Sequence, residues 1–476
     1  MRRATKKEMW IFAVGQLGGS ILAGIIGNLL VNFYLPDKTG NGIITFVIPT
    51  AIFLGLTVIG LITAFGRVVD AVTDPLIGSM SDRCKHRLGK RIPFLRYSAV
   101  PFALVTVLIF CCPVRGESAW NIVWLVATLV IFYIAMTAYC TPFNALIPVI
   151  GKTQKDRMNV STYISLTYIV GTGIAFSGKM LWEALYNATG MDYYLCARLV
   201  LGVLALIALI CMLLPAFIIK EKELDDTPPI NESAFKSLGK TFKNKDFRIF
   251  VLSDILYWIG ITIFNTGFIY YVENLLNLNI YMILFIFMTF VTFACYPIVN
   301  ILTRKFGKKK LVLVGFIIFA FAFLVSAFAG KITFIPNTVY GFIICVLVGV
   351  PLAILGVIPQ AIVADIAEAD CVTTGENHDG MFYAARTFAF KMGQSVAMIL
   401  FTSFAIIGQY YDTNGNLANN GLGYRISLIT ALVLCVLACL VLLRYNEKKT
   451  MEIISDKAES VENKEENIQN TESKEA

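Results

Sequence analysis

The chain has 476 residues, of which 57% are hydrophobic and 15% are charged, and its formal net charge is +8. Its mean hydropathy of +0.71 excludes an ordinary soluble globular protein and is typical of a chain that crosses a membrane many times. The basic residues gather in short loops between apolar segments. The positive charge therefore indicates membrane topology, and we expect no nucleic-acid partner.

Apolar segments of about 20 residues or more recur along the chain, and each can cross a hydrocarbon core roughly 30 Å thick. None alternates as a barrel strand does, and backbone groups in lipid must bond within their own segment, so the segments predict helices. The expected fold class is an all-α polytopic membrane protein with twelve transmembrane helices. These lie near residues 10–35, 43–78, 92–113, 120–149, 159–186, 194–219, 248–275, 279–303, 311–331, 337–365, 380–409 and 423–444.

Loops rich in lysine and arginine alternate along the chain with loops whose only basic residues are Lys38, Arg115 and Lys331. Basic loops stay on the cytoplasmic side of a membrane, so we expect both termini in the cytoplasm. The first apolar segment is too long for a cleavable signal peptide and is expected to be the first transmembrane helix. The expected location is the cell membrane.

A polar linker near residues 220–247 separates two sets of about six spans, 1–219 and 248–445. The second span of the first set ends "DPLIGSMSDRCKHRLGKR", and the corresponding span of the second set ends "YPIVNILTRKFGKKK". Both contain a proline, a polar turn, a glycine and a basic cluster. Two parallel six-helix halves around a site near the midplane describe the major facilitator fold. Residues 446–476 form a polar, Glu-rich cytoplasmic tail that we expect to be disordered.

Charged side chains occur inside the second span, in "GRVVDAVTDPLIGSMSDR". A charge at the bilayer centre costs at least ~2.5–3.5 kcal/mol, so Arg67, Asp70 and Asp74 require an explanation. The two acids are one helical turn apart and share one face, and Arg67 lies on that face. Pro75 has no amide hydrogen, which leaves the carbonyl of Ala71, between the two acids, without its helical partner.

These groups offer several hard oxygens and a local net charge near −1. A small hard cation such as Na⁺ or Li⁺ suits the site, and a proton on one carboxylate is the other way to neutralise it. Asp74 and Asp70 precede Asp82 by roughly 12–18 Å of helix, which places them in the inner half of the membrane. The alternative is a structural brace between helices with Arg67 as the charge partner, although a brace needs only one acid.

This motif, together with "TPFNALIP", Arg157 and "GMFYAARTFAFKMG", resembles the glycoside–pentoside–hexuronide:cation symporters, the melibiose permease family. The resemblance extends over essentially the whole chain. It implies a secondary active symporter of a sugar or glycoside, coupled to Na⁺ or H⁺, that is not an enzyme and has no cofactor. It also implies that Asp70, Asp74 and Thr137 bind the cation and that Lys391 faces the cation and sugar region.

The sugar-binding positions depart from the pattern of that family. The resemblance implies acids on the first and fourth helices and an arginine on the fifth. This chain has no acid in "VGQLGGSILAG", and it has Cys140 and Ser165 at the other two positions. Melibiose itself is therefore not the expected substrate.

Six polar residues are candidates for binding the substrate: Asn28, Asn32, Cys140, Asn144, Arg386 and Lys391. Asn28 and Asn32 share a face of the first helix and carry amides that suit sugar hydroxyls, although such amides also hydrogen-bond between helices. Arg386 and Lys391 could pair with the acids of the second helix. They could equally bind an anionic sugar such as a uronide.

Charged residues near the cytoplasmic ends of the helices have a different expected role. Asp82 and Arg83 lie in the turn after the second helix, where we expect ion pairs that hold the outward-facing state. We expect Asp365, near the end of the tenth helix, to act as a gate with Arg157 or nearby basic loops. A solvated loop position is the alternative for Asp365.

Two other functions are compatible with the sequence. The resembled family includes a eukaryotic branch that carries lysolipids, and the loss of the sugar-binding acids permits a cation-coupled lysolipid carrier. The other is a transporter-derived sugar sensor that signals through its tail. A membrane enzyme needs a nucleophile–base or metal constellation, and we find none in the sequence. The expected partners are a small sugar or glycoside, a monovalent cation and the lipid bilayer, and we expect a monomer.

Overall fold

The computed structural model describes residues 3–35, 47–48, 52–53, 56–114, 116–151, 154–224, 241–332, 334–374, 379–411 and 417–454. A few side chains within these ranges, among them those of Asp82 and Arg157, lie outside the description. Most of the described chain forms long helices. They are α1 (Lys6–Tyr34), α2 (Val58–Asp82), α3 (Ile92–Ile109), α4 (Ala119–Ala145), α5 (Gln154–Thr189), α6 (Tyr193–Ile218), α7 (Lys245–Tyr270), α8 (Tyr281–Phe306), α9 (Lys308–Ala327), α10 (Asn337–Thr374), α11 (Asp379–Ala405) and α12 (Leu422–Leu442).

Eleven of these helices are long and apolar enough to cross a membrane. The remaining one, α2, is as long as its neighbours, but Arg67, Asp70 and Asp74 interrupt its apolar sequence. The predicted all-α, twelve-helix fold class is therefore confirmed. The short elements of the described chain include two helices, Ile147–Ile150 and Glu221–Leu224, and two antiparallel hairpins, β1 (Ile52–Phe53) with β2 (Leu56–Thr57) and β3 (Gln409–Tyr411) with β4 (Leu417–Asn419).

Helix α2 begins later than the sequence indicated. We expected an apolar span from residue 43, whereas α2 begins at Val58. Thr57 has an extended backbone, and its hydroxyl accepts a hydrogen bond from the N–H of Gly60, as an N-cap residue does. The cap fixes the start of the helix, which apolar composition alone does not define.

The first six and the last six helices pack in the same way. Helix α1 packs on α5 and α6, as α7 packs on α11 and α12; α3 packs on α4 and α6, as α9 packs on α10 and α12. A Cβ atom on Gly18 would overlap the carbonyl of Ala208, so α1 and α6 approach as closely as only glycine permits. We call α1–α6 the first half and α7–α12 the second half. The boundaries at residues 219 and 248 stay a prediction.

The two halves meet along α2 and α11, where Ser395 Oγ donates to the carbonyl of Ala64 (2.9 Å). We call the end of the bundle that carries Arg83 and the start of α9 the basic end. The other end, where α1 finishes and α2 begins, is called the opposite end. Two hydrogen bonds join the halves there, Thr57 Oγ1 to Thr402 Oγ1 (2.8 Å) and Tyr270 Oη to the carbonyl of Leu35 (2.9 Å).

An ion pair joins the halves at the same end. Glu273 lies on a π-helical turn, Tyr271–Leu275, that continues α7. Its two carboxylate oxygens accept from Lys179 Nζ of α5 at 2.6 and 2.8 Å. The side chains of Lys179 and Glu273 are only 11% and 15% exposed. All four of the contacts between halves described so far thus lie along α2–α11 or at the opposite end.

Two glutamates cap equivalent helices in the two halves. Glu221, just after α6, accepts hydrogen bonds from the backbone N–H groups of Arg91 and Ile92, where α3 begins (2.8 and 2.9 Å). Glu447, just after α12, accepts from the first two N–H groups of α9 (2.7 and 3.1 Å). Helices α3 and α9 have no side-chain cap of their own, so these distant carboxylates satisfy their N-termini and complement the helix dipoles.

The second of these caps changes one expectation. Glu447 belongs to the tail that we expected to be disordered, and residues 447–454 are helical. The remaining tail, residues 455–476, and most of the predicted linker, residues 225–240, lie outside the described residues.

Candidate functional site

Two helices of the first half position the acid pair. Asp70 and Asp74 lie one turn apart on the face of α2 that packs on α4. Thr137 Oγ1 of α4 donates to Asp70 Oδ1 at 3.1 Å, and Thr141 Oγ1, one turn further along α4, donates to Asp74 Oδ1 at 3.1 Å. Each acid is therefore oriented by a hydroxyl group from the neighbouring helix.

The second half contributes an ammonium group to the same site. Lys391 of α11 donates to Asp74 Oδ2 at 2.6 Å, and its Nζ lies 2.9 Å from Asp70 Oδ2. Asp70 is almost completely buried, with 1% of its side chain exposed, whereas 24% of the Asp74 side chain is exposed. The acids thus face the interface between the halves rather than lipid, and Lys391 lies against both.

Arg67 has a looser relation to the pair. Its guanidinium lies 4.0 Å from Asp70 Oδ2 and packs over the ring of Tyr133, 5.6 Å from the centroid. Two carboxylates, one ammonium and one guanidinium sum to zero formal charge, whereas the sequence suggested a local charge near −1. The extra positive charge comes from Lys391, which lies on α11, far away in the sequence, and contacts both acids in this conformation.

The described oxygens suit a small hard cation. Two carboxylates and two threonine hydroxyls converge on the site, and Na⁺ and Li⁺ prefer oxygen ligands of this kind. Asp70 Oδ2 is buried, and its neighbours are two cationic groups: Lys391 Nζ at 2.9 Å and the Arg67 guanidinium at 4.0 Å. A buried carboxylate oxygen needs a positive or hydrogen-bonding partner, so it is an available ligand for a cation that displaces Lys391.

The candidate substrate residues lie in two settings. On α4, Cys140 is partly buried between Thr137 and Thr141, at the level of the acid pair, and Asn144 is exposed further towards the basic end. Asn28 and Asn32 on α1 are partly buried, and Asn32 Nδ2 donates to the backbone carbonyl of Asn28 (3.3 Å). Their role in substrate binding stays a prediction.

Arg386 does not join the acid pair. Its Nε and one terminal nitrogen donate to the two carboxylate oxygens of Asp254 on α7, at 2.7 and 3.2 Å. Both side chains are buried within the second half. Of the two pairings with α2 that the sequence allowed, only that of Lys391 is present.

The predicted gating residues are partly described. Asp365 of α10 is paired with Lys308 at the start of α9, through contacts of 2.6 and 2.7 Å, so it is held within the second half. Arg83 follows α2, and its backbone N–H donates to the carbonyl of Ser79. The side chains of Asp82 and Arg157 lie outside the described ones, so their gating role stays a prediction.

Sequence reasoning missed four residues of interest: Thr141, Asp254, Lys179 and Glu273. Thr141 had a usable signal, because it follows Thr137 by the same four residues that separate the two acids. The other three form ion pairs with partners 94 or 132 residues away, and no local sequence pattern predicts such pairs.

The sequence pattern of the family described as MFS/sugar transport protein matches residues 15–446. The chain therefore belongs to this family of major facilitator transporters. Membership confirms the resemblance drawn from the motifs, and it confirms that the protein is a multi-span membrane transporter and not an enzyme.

Individual proteins agree with this assignment. An uncharacterized symporter of Bacillus subtilis (strain 168), YjmB, is 24% identical over 408 residues, or 84% of this chain and 83% of that protein. The isoprimeverose transporter of Lactiplantibacillus pentosus is 20% identical over 368 residues, or 77% of this chain and 74% of that protein. The crystal structure of a D-xylose–proton symporter has a TM-score of 0.62 at 16% identity, over 93% of this chain and 98% of that one. The last similarity concerns the fold alone.

Proposed function

We propose that the protein is a secondary active symporter that carries a sugar or glycoside into the cell together with Na⁺ or H⁺ by alternating access. One observation carries this proposal: an acid pair on α2 of the first half forms ion pairs with Lys391 from α11 of the second half. The names of the relatives, a symporter and an isoprimeverose transporter, support a cation-coupled carrier of sugars.

Lys391 supplies a physical basis for coupling. Removing one partner of a buried ion pair costs about 3–5 kcal/mol, so the ammonium leaves the two acids only when another cation replaces it. A Na⁺ ion or a proton that neutralises the acids releases Lys391 towards the substrate cavity. The released group can then donate to a sugar hydroxyl or carboxylate, and the substrate in turn tightens binding of the cation by the same factor.

The contacts between the halves support an inward-facing state. The opposite end is closed by the Thr57–Thr402 hydrogen bond and the Lys179–Glu273 ion pair, whereas Asp74, which is nearer the basic end than Asp70, is 24% exposed and Asn144 is exposed. Basic loops are retained in the cytoplasm, so we assign the basic end, with both termini, to that side. We further propose the cell membrane as the location and a monomer as the working unit, with the division 1–219, 220–247 and 248–445.

Uptake into proteoliposomes tests the proposed function. A panel of neutral sugars, glycosides and uronides is offered with and without an inward Na⁺ or proton gradient, and we expect gradient-driven accumulation of at least one compound. Asp70→Asn and Asp74→Asn should abolish accumulation and retain downhill exchange, because a neutral amide cannot hold the cation charge. Asp192→Asn is the matched control, since Asp192 is an exposed N-cap of α6 and asparagine caps equally well.

Three results would contradict the proposal. Gradient-driven uptake at the wild-type rate in either acid variant would show that the acid pair does not couple the cation to the sugar. Thermal stabilisation by lysolipids and by no sugar would favour a lysolipid carrier. Loss of all function on truncation after Asn446, in a protein that still folds and binds sugar, would favour a sensor.

A further inference from the structure

The acid pair and the two threonines of α4 form two matched units. The Asp70–Thr137 and Asp74–Thr141 hydrogen bonds have the same length, 3.1 Å, and the same separation of 67 residues in sequence. Helices α2 and α4 are the second and fourth of consecutive spans, so they run in the same direction, and one turn on α2 lies beside one turn on α4. The resemblance drawn from the motifs accounts for only one of these two hydroxyl groups.

In each of the two helices, a proline directly follows the residue that belongs to the second unit. Pro75 follows Asp74 in α2, and Pro142 follows Thr141 in α4. Proline lacks the N–H that would bond to the carbonyl four residues earlier, so both helices carry a backbone oxygen without its helical donor beside the site. The site is therefore rich in hard oxygens on the α4 side as well as on the α2 side.

The two units differ in how deeply they are buried. Asp70 is 1% exposed and Asp74 is 24% exposed. The Asp74–Thr141 unit thus lies one helical turn nearer the basic end than the Asp70–Thr137 unit, and its acid is the more exposed of the two.

We propose that Thr141 is a second hydroxyl ligand of the coupling cation, at the end of the site from which Na⁺ or Li⁺ leaves towards the basic end. This inference rests on the proposed function. A threonine hydroxyl has one hydrogen and two lone pairs. Thr141 can therefore donate to Asp74, as it does here, and offer a lone pair to a cation that replaces Lys391.

Binding measurements on the purified full-length protein test the assignment. Na⁺ and Li⁺ are titrated while the tryptophan fluorescence is recorded, first alone and then at a saturating concentration of the transported sugar. We expect Thr141→Val to weaken the apparent affinity for Na⁺ and Li⁺ by about tenfold or more, because it removes one charge-assisted contact without changing the volume. Thr141→Ser keeps the hydroxyl and should stay within about twofold of the wild type.

Thr128→Val is the matched control. Thr128 lies on α4 and donates only to the carbonyls of Trp124 and Leu125 among the described contacts. It should leave the cation affinity unchanged. The sugar affinity at saturating cation should be equal in Thr141→Val and the wild type, which a general loss of structure would not allow.

The outcomes separate this inference from the proposed function. Equal cation affinity in Thr141→Val and the wild type overturns the role of Thr141 and leaves the symporter intact. If uptake by the wild type is driven by protons and does not respond to Na⁺ or Li⁺, the claim that Thr141 binds a metal ion is overturned, but the protein is still a symporter. A wild type that responds to no cation at all overturns the proposed function itself.

Discussion

Lys391 Nζ lies 2.6 Å from Asp74 Oδ2, although 317 residues separate the two in the sequence. The contact joins α11 of the second half to α2 of the first. A transport cycle that opens and closes the interface must therefore break and remake it, and whatever replaces the ammonium on the acid pair takes part in that cycle.

Lys391→Gln tests this relationship directly. Glutamine keeps a hydrogen-bonding side chain of similar reach but removes the charge, so the acids lose their resident counter-charge. We expect the ratio of the sugar dissociation constants without and with the cation to fall towards one, because the cation no longer releases Lys391. Isothermal titration of sugar at two cation concentrations measures the ratio.

The exposed Lys220, which pairs with Glu223 at the surface, provides the matched control as Lys220→Gln. A ratio that remains at the wild-type value in Lys391→Gln would contradict the proposed coupling.

We expect loss of the Lys179–Glu273 pair to shift the protein towards a conformation that is open at the opposite end. Lys179→Gln or Glu273→Gln should weaken the closed opposite end and populate the outward-open state. Hydrogen–deuterium exchange should then rise in peptides that contain Thr57 and Thr402. The reciprocal exchange Lys179→Glu with Glu273→Lys should restore protection, because it rebuilds the pair.

Glu183→Gln is the control for a change of charge alone, since Glu183 approaches Lys179 only at 3.8 Å within the same helix. Unchanged exchange in both single variants would show that the ion pair does not hold the opposite end closed.

The buried Asp254–Arg386 pair predicts a large effect on stability. Asp254→Asn leaves a buried guanidinium without its counter-charge, which typically costs about 3–5 kcal/mol, so the melting temperature in detergent should fall markedly. The double variant Asp254→Leu with Arg386→Met should recover much of the loss, because both charges are removed. Additive losses in the double variant would contradict this account.

The same double variant tests the predicted substrate role of Arg386. If the folded double variant binds the transported sugar with unchanged affinity, Arg386 is not part of the substrate site. A specific loss of sugar binding would place it there.

The two capping glutamates predict equal effects in the two halves. Glu221→Ala and Glu447→Ala each remove the partner of two backbone N–H groups at a helix start, and loss of such a cap costs about 0.5–2 kcal/mol. Both should lower the melting temperature by a similar amount. Glu223→Ala is the control, because the Glu223 side chain is 45% exposed and pairs with the exposed Lys220. No change in either capping variant would contradict the prediction.

The sequence was sufficient for the helices and for the acid pair, for a common physical reason. Hydropathy is a local property, and a charge within an apolar segment stands out against its neighbours, as Asp70 and Asp74 do. The placement of Lys391 near these acids followed from a resemblance and not from spacing. The start of α2 was predicted wrongly because a cap, and not composition, defines it.

Contacts that depend on tertiary packing were not predictable. Asp254 carried no sign of its partner, since 132 residues separate it from Arg386. The caps of α3 and α9 come from glutamates beyond the ends of other helices, so capping rules that read neighbouring residues do not find them. Thr141 was within reach, because its spacing from Thr137 repeats that of the acids.

The distance along the chain between Asp74 and Lys391 also bears on biosynthesis. At roughly 5–20 residues per second, the ribosome needs about 15–60 s to make the 317 residues that separate the acid from its counter-ion. During that interval α2 carries two acids that no lysine has yet neutralised. Helix α4, which is completed much sooner and brings Thr137 and Thr141, is the first partner that can shelter them, so the order of synthesis favours an early packed pair of α2 and α4 that α11 joins last.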